Sequence, residues 1–173
     1  MIKNFNLKKI IKEIAIFAIL LFVISNVLSY INAPKLHSNT LPSFNAKTLD
    51  GENFRSSTLR QKPLLIHFWA TWCPICKVEN GTIDDLSSHF DVITIAVNSG
   101  DNDKVKKFLN THHLHFKVIN DQNGVIASLF AVKAFPTTFI YNKNNRLLFS
   151  DVGYSSFLGL YLRMLYSRWS TSV

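Results

Sequence analysis

The chain has 173 residues, 47% of them apolar with 14 Phe, and a formal net charge of +8, enough for one packed domain plus an appendage. Two cysteines exclude a disulfide-dense scaffold. No Lys/Arg run follows residue 13, which argues against nucleic acid as a partner.

Residues 1–13 carry Lys3, Lys8, Lys9 and Lys12 against Glu13. From Ile14 to Ile31 the chain reads IAIFAILLFVISNVLSYI, 18 residues without a charge. As a helix this run spans about 27 Å, close to a bilayer core of about 30 Å. Ser25, Asn26 and Ser29 weaken its outer half. It is longer than the apolar core of a cleaved signal peptide, and Ile31-Asn32-Ala33 is a poor cleavage site. A buried helix of a soluble domain is the alternative, disfavoured because the run is apolar on all faces. Four lysines precede it, and only Lys35 lies in the fifteen residues after it. Positive-inside orientation then predicts a cytoplasmic segment at 1–13, a single-pass inner-membrane anchor at 14–31, a tether at 32–40, and a domain at 41–173 in the periplasm.

Within the domain, Asp50-Gly51 signals a hairpin flanked by Leu49 and Phe54. Pro63 precedes LLIHFWA, an apolar run suited to a strand buried on both faces. After Pro74 a helix is expected, with Ile75, Val78, Ile83 and Leu86 on its apolar stripe. DVITIAVNS reads as a second buried strand. Asp101 or Asn102 caps a helix to Asn110, with Val105, Phe108 and Leu109 inward. FKVIND is a short strand and NGVIASLFAV a short helix. TTFIYN and RLLFSDV form a hairpin about Lys143-Asn144-Asn145. Ser155 or Ser156 starts a last helix, apolar at 157, 160/161, 164/165 and Trp169. This order predicts an α/β domain with a mixed sheet and helices on both faces.

The only cysteines, Cys73 and Cys76, stand in FWATWCPICKVE. Cys-x-x-Cys opening a helix after a buried strand is a redox arrangement. The first cysteine meets unpaired amides and the positive end of the helix dipole, which stabilise a thiolate. The second lies one turn on, within reach, to resolve a mixed disulfide. Zinc would need four ligands, and His112, His113 and His115 begin 36 residues after Cys76. A purely structural disulfide would close too small a loop to stabilise much.

The chain resembles the thioredoxin superfamily in its membrane-tethered TlpA/ResA-like branch, and within that the suppressor-of-copper-sensitivity D type. The resemblance covers about residues 41–169 and rests on TLDG, FWATWCPICKVE, the VIND-x-NG stretch and FPTTFIYN. It implies a thioredoxin-like fold, with Cys73 as surface nucleophile and Cys76 as buried resolver. It implies that Trp72 packs over the pair. Pro136 would be a cis-proline facing the cysteines, with the backbone of Phe135 left free to pair with an extended substrate. Glu79 matches the acidic residue that follows Cys-x-x-Cys in this branch. It either tunes thiol proton affinity or is a solvated first-turn carboxylate.

Two positions depart from the pattern. His67 stands in the strand below the pair where relatives carry an acid or Asn, as a proton acceptor or as a core histidine satisfied by one hydrogen bond. Gly81 replaces a common proline. Residues 111–115, THHLH, read as a helix end whose imidazolium groups favour the dipole, with copper binding as the rival idea.

The expected function is an extracytoplasmic thiol–disulfide oxidoreductase working as a reductase on cysteine-containing proteins. It would need no cofactor or metal and would be recharged by a membrane electron donor of the DsbD type. The alternatives are an oxidase of the same fold, a copper-tolerance or metal-binding module using Cys73, Cys76 and His115, and a structural membrane scaffold.

Overall fold

The computed structural model describes residues 11–17, 20, 38–58 and 61–170. The chain divides into two compact units, Met1–Ala33 and Pro34–Val173. In the first, residues 11–17 are helical. Most of the apolar run at 14–31 lies outside the described residues, as does most of the tether. Among the described residues, no helix is long and apolar enough to cross a membrane.

The second unit opens with a hairpin of β1 (Asn45–Lys47) and β2 (Asn53–Arg55). Gly51 turns it at φ +87°, a conformation natural to glycine. The amide of Leu49 donates to the carbonyl of Val118 at 2.8 Å, tying the hairpin to the main sheet. That sheet comprises β3 (Leu64–Trp69), β4 (Asp91–Val97), β5 (Val118–Asp121), β6 (Thr137–Tyr141) and β7 (Leu147–Val152). Their order is β5-β4-β3-β6-β7. β3, β4 and β5 run parallel, while β6 and β7 add antiparallel strands. The sheet is therefore mixed, as the element order requires.

Four helices follow in chain order: α1 (Pro74–Ser87), α2 (Asn102–Thr111), α3 (Val125–Leu129) and α4 (Phe157–Trp169). Leu65, Trp69 and Ile140 meet residues of α1, α2 and α4 on one sheet face. Leu64, Ile66 and Phe68 meet Phe44, Ala127 and Phe130 on the other. All six residues of β3 are buried, because both faces of this central strand are covered.

Two predicted stripes differ in the structure. In α1, Ile75 and Val78 are exposed, and the buried set is Cys76, Glu79, Asn80, Ile83 and Leu86. At about 100° per residue, Ile75 and Val78 stand about 80° and 140° around the helix from Ile83. The predicted stripe thus spans two different faces of the helix. In α4, Leu160, Met164 and Ser167 point inward, whereas Trp169 is 83% exposed. The Gly81 position does not interrupt α1, and a Cβ there would meet no atom within 4 Å.

Candidate functional site

Cys73 is the N-cap of α1, in extended backbone, with Pro74 in the first helical turn. The amide of Cys76 donates to Cys73 Sγ at 3.2 Å. This is the contact that lets a helix N-terminus hold sulfur as a thiolate. The two cysteines are disulfide-paired, with Cα atoms 5.3 Å apart. Cys76 is fully buried and Cys73 nearly so.

Neighbouring loops fix the entry into α1. The amide of Thr71 donates to Ser99 Oγ at 3.0 Å, and Ser99 Oγ donates to the carbonyl of Val97. Trp72 Nε1 donates to the carbonyl of Asn98 at 3.1 Å. Its ring is 58% exposed and meets Phe135 edge-on at 5.7 Å. Trp72 thus flanks the dithiol with Phe135. The Phe135–Pro136 peptide bond is cis. The carbonyl oxygen of Phe135 lies 3.8 Å from Cys73 Sγ.

Beneath the pair lies a buried polar group that hydropathy alone would not place there. Glu79 follows Cys76 by three residues on the same buried face of α1. It is fully buried, so the reading of a solvated carboxylate is overturned. One carboxylate oxygen, Oε1, accepts from the amide of Ser155 at 3.1 Å. Oε2 has no partner among the described residues. Burial pushes the Glu79 pKa up to about 8, with the Asp151 charge adding to the rise and the Ser155 amide opposing it. Asp151 is also raised by burial, against the attraction of Arg163, whose Nη1 donates to Asp151 Oδ2.

His67 lies on β3, on the same sheet face as Leu65 and Trp69. Its Nδ1 shares a hydrogen bond of 2.9 Å with Thr138 Oγ1. Its Nε2 has no partner among the described residues. Burial lowers its pKa to about 3, so the ring is neutral at pH 7 and a weak proton acceptor. The register pairs His67 with Thr138 and Thr138 with Asp151, forming one polar row across three strands. Thr138, Asp151 and Arg163 are not legible as site residues in the sequence, and Ser155 is legible there only as a helix start. The expected alternation of β3 and β6 could have placed Thr138 beside His67; nothing in the sequence places Asp151 near Glu79.

The histidine cluster disperses. His112 Nδ1 donates to the carbonyl of Phe108 at 2.9 Å and caps α2. His113 takes positive φ. His115 pairs with Asp84, two turns beyond Cys76 along α1. Among the described residues, no three His, Cys, Asp or Glu group to hold a metal ion. Two open hollows of about 410 and 320 Å³ lie beside His115 and Phe116 rather than at the dithiol.

The mixed sheet, the Cys-x-x-Cys at the start of α1 and the cis-proline loop opposite it define a thioredoxin-like α/β domain. The chain belongs to the AhpC/TSA family, whose model matches residues 38–150. It is 27% identical to a thioredoxin-like protein of Haemophilus influenzae, over 94% of this chain and 97% of that one. It is 30% identical to the thiol-disulfide oxidoreductase ResA of Geobacillus thermodenitrificans, over 63% of this chain and 65% of that one. A secreted Mycobacterium tuberculosis disulfide oxidoreductase homologous to E. coli DsbE superposes with a TM-score of 0.62, at 26% identity. That match covers 72% of this chain and 96% of the other.

Proposed function

We propose that the chain is a thiol–disulfide oxidoreductase of the DsbE/ResA type, anchored by residues 14–31 with its domain outside the cytoplasmic membrane, and working as a reductase on cysteine-containing proteins. The observation that carries this reading is the Cys73 sulfur, which caps α1 and accepts the Cys76 amide beside the Phe135 carbonyl. A Cys73 thiolate attacks one sulfur of a substrate disulfide, forming a mixed disulfide and expelling the other sulfur as a thiolate. The Cys76 thiolate then attacks Cys73 Sγ. The substrate leaves with two thiols, two electrons richer, and the Cys73–Cys76 disulfide remains. Each released thiolate takes one proton.

Glu79 is the group that exchanges a proton with Cys76, since its pKa of about 8 lies near that of a thiol. Phe135 offers backbone to an extended substrate, with Trp72 as the adjoining apolar wall. The anchor reading rests on the charge-free run and the lysines before it. A membrane donor of the DsbD type returns the two electrons. Within the family, FWATWCPIC with FPTTF supports a reading as the suppressor-of-copper-sensitivity D type, which the chain resembles.

Mixing the Cys76→Ser protein with a disulfide substrate tests the proposal. A covalent complex through Cys73 that dithiothreitol dissolves is expected. Equal trapping by Cys73→Ser, or none by either variant, overturns the assignment of nucleophile and resolver.

A further inference from the structure

The outer face of α4 is apolar where a surface helix is ordinarily polar. Leu160, Met164 and Ser167 fill the face toward the sheet. On the opposite side Leu158, Leu162, Tyr166 and Trp169 are 65, 55, 60 and 83% exposed. At about 100° per residue these four fall within an arc of about 80°. A contiguous apolar stripe of this kind marks a docking surface.

We propose that this face of α4 lies in the interface of an anionic phospholipid bilayer. The inference rests on the anchor reading above. Charge is the first argument for lipid. From Val152 to Val173 the sequence holds no Asp or Glu, and its only charged residues are Arg163 and Arg168. Both border the stripe by helical spacing; Arg163 is paired with Asp151, so Arg168 carries the positive border of the stripe. Leu, Tyr and Trp on one face with arginine beside them is the composition of an interfacial helix.

The path of the chain is the second argument. The domain begins at the β6–β7 turn, where the Leu147 amide donates to the carbonyl of Asn39 and the Leu41 amide to that of Asn145. Two residues beyond Leu147, the ring of Phe149 packs against Tyr166 at 5.9 Å. The turn itself exposes Lys143 and Arg146. The tether thus enters beside the C-terminal half of α4. Its nine residues, 32–40, span at most about 30 Å, so a bilayer entered by residues 14–31 is within reach of Tyr166 and Trp169. The other end of α4 starts at Ser156, next to the Ser155 amide that holds Glu79. A helix lying in the interface therefore fixes the height of the dithiol for a membrane-embedded donor.

The test places one full-length chain per nanodisc of phosphatidylethanolamine and phosphatidylglycerol with brominated acyl chains. Bromine quenching of tryptophan emission is compared between wild type and Trp169→Phe. Flotation with vesicles after an alkaline carbonate wash scores the anchor separately. The expected result is a quenched component in wild type that Trp169→Phe lacks. The Leu158→Ser/Leu162→Ser protein, which keeps Trp169, should lose that component while still floating. Equal quenching in wild type and Trp169→Phe, with flotation intact, overturns the lipid contact and leaves the anchor standing. Quenching that requires two chains per disc overturns it in favour of a second copy. Failure to float overturns the anchor itself.

Discussion

Glu79 reaches across from α1 to accept the Ser155 amide at 3.1 Å, just ahead of α4, and leaves its second oxygen buried without a partner. Its pKa of about 8 stands above the ordinary 4.5. Between those values the folded protein binds a proton that the unfolded chain releases, so stability falls as pH rises from about 4.5 to about 8. Each pKa unit is worth about 1.4 kcal/mol. Urea unfolding at a series of pH values should show this loss in wild type and a flatter profile in Glu79→Gln. The same variant should lose the inflection near pH 8 in the rate at which Cys76 resolves a mixed disulfide.

His67 acts in the opposite sense. Its pKa of about 3 lies below the ordinary 6.5. The unfolded chain takes up a proton first, so the stabilisation present above pH 6.5 is lost as pH falls toward 3. His67→Gln should flatten the acid limb of the stability profile and leave the alkaline limb as in wild type. Thr138→Val removes the partner of Nδ1 and should destabilise by about 1–3 kcal/mol, measured by the same unfolding.

Asp151 is the remaining charge beside Glu79, and Arg163 is its partner. Arg163→Met leaves the Asp151 carboxylate without its guanidinium. A loss of about 1–3 kcal/mol at pH 7 is expected, shrinking as pH falls and the carboxylate, its pKa raised by burial, protonates. A pH-independent loss would show that packing against Phe149, over which the guanidinium lies at 5.6 Å, is the whole contribution.

Much of this site was legible before any coordinates. β3 is a continuous apolar run ending at Trp69, and Pro74 and the two cysteines announce the start of α1. Local signals of this kind need only the residues themselves. The environment of Glu79 is a tertiary fact. It depends on α4 docking beside α1 and on the β6–β7 register that carries Asp151 under the helix. A carboxylate three residues after a cysteine has the same spacing whether it faces water or core. The predicted stripe in α1 fails for a related reason: Ile75 and Val78 are apolar, yet both are exposed, and apolar character alone does not say which face of a helix meets the core.

Equilibration of the Cys73–Cys76 pair against glutathione buffers tests the account most directly, with the two redox forms quantified by thiol alkylation. A single two-electron transition near thioredoxin's value of about −270 mV is predicted. A midpoint near about −120 mV, the value of a strong disulfide donor, would contradict the reductase assignment, and no transition at any poise would contradict the exchange chemistry itself.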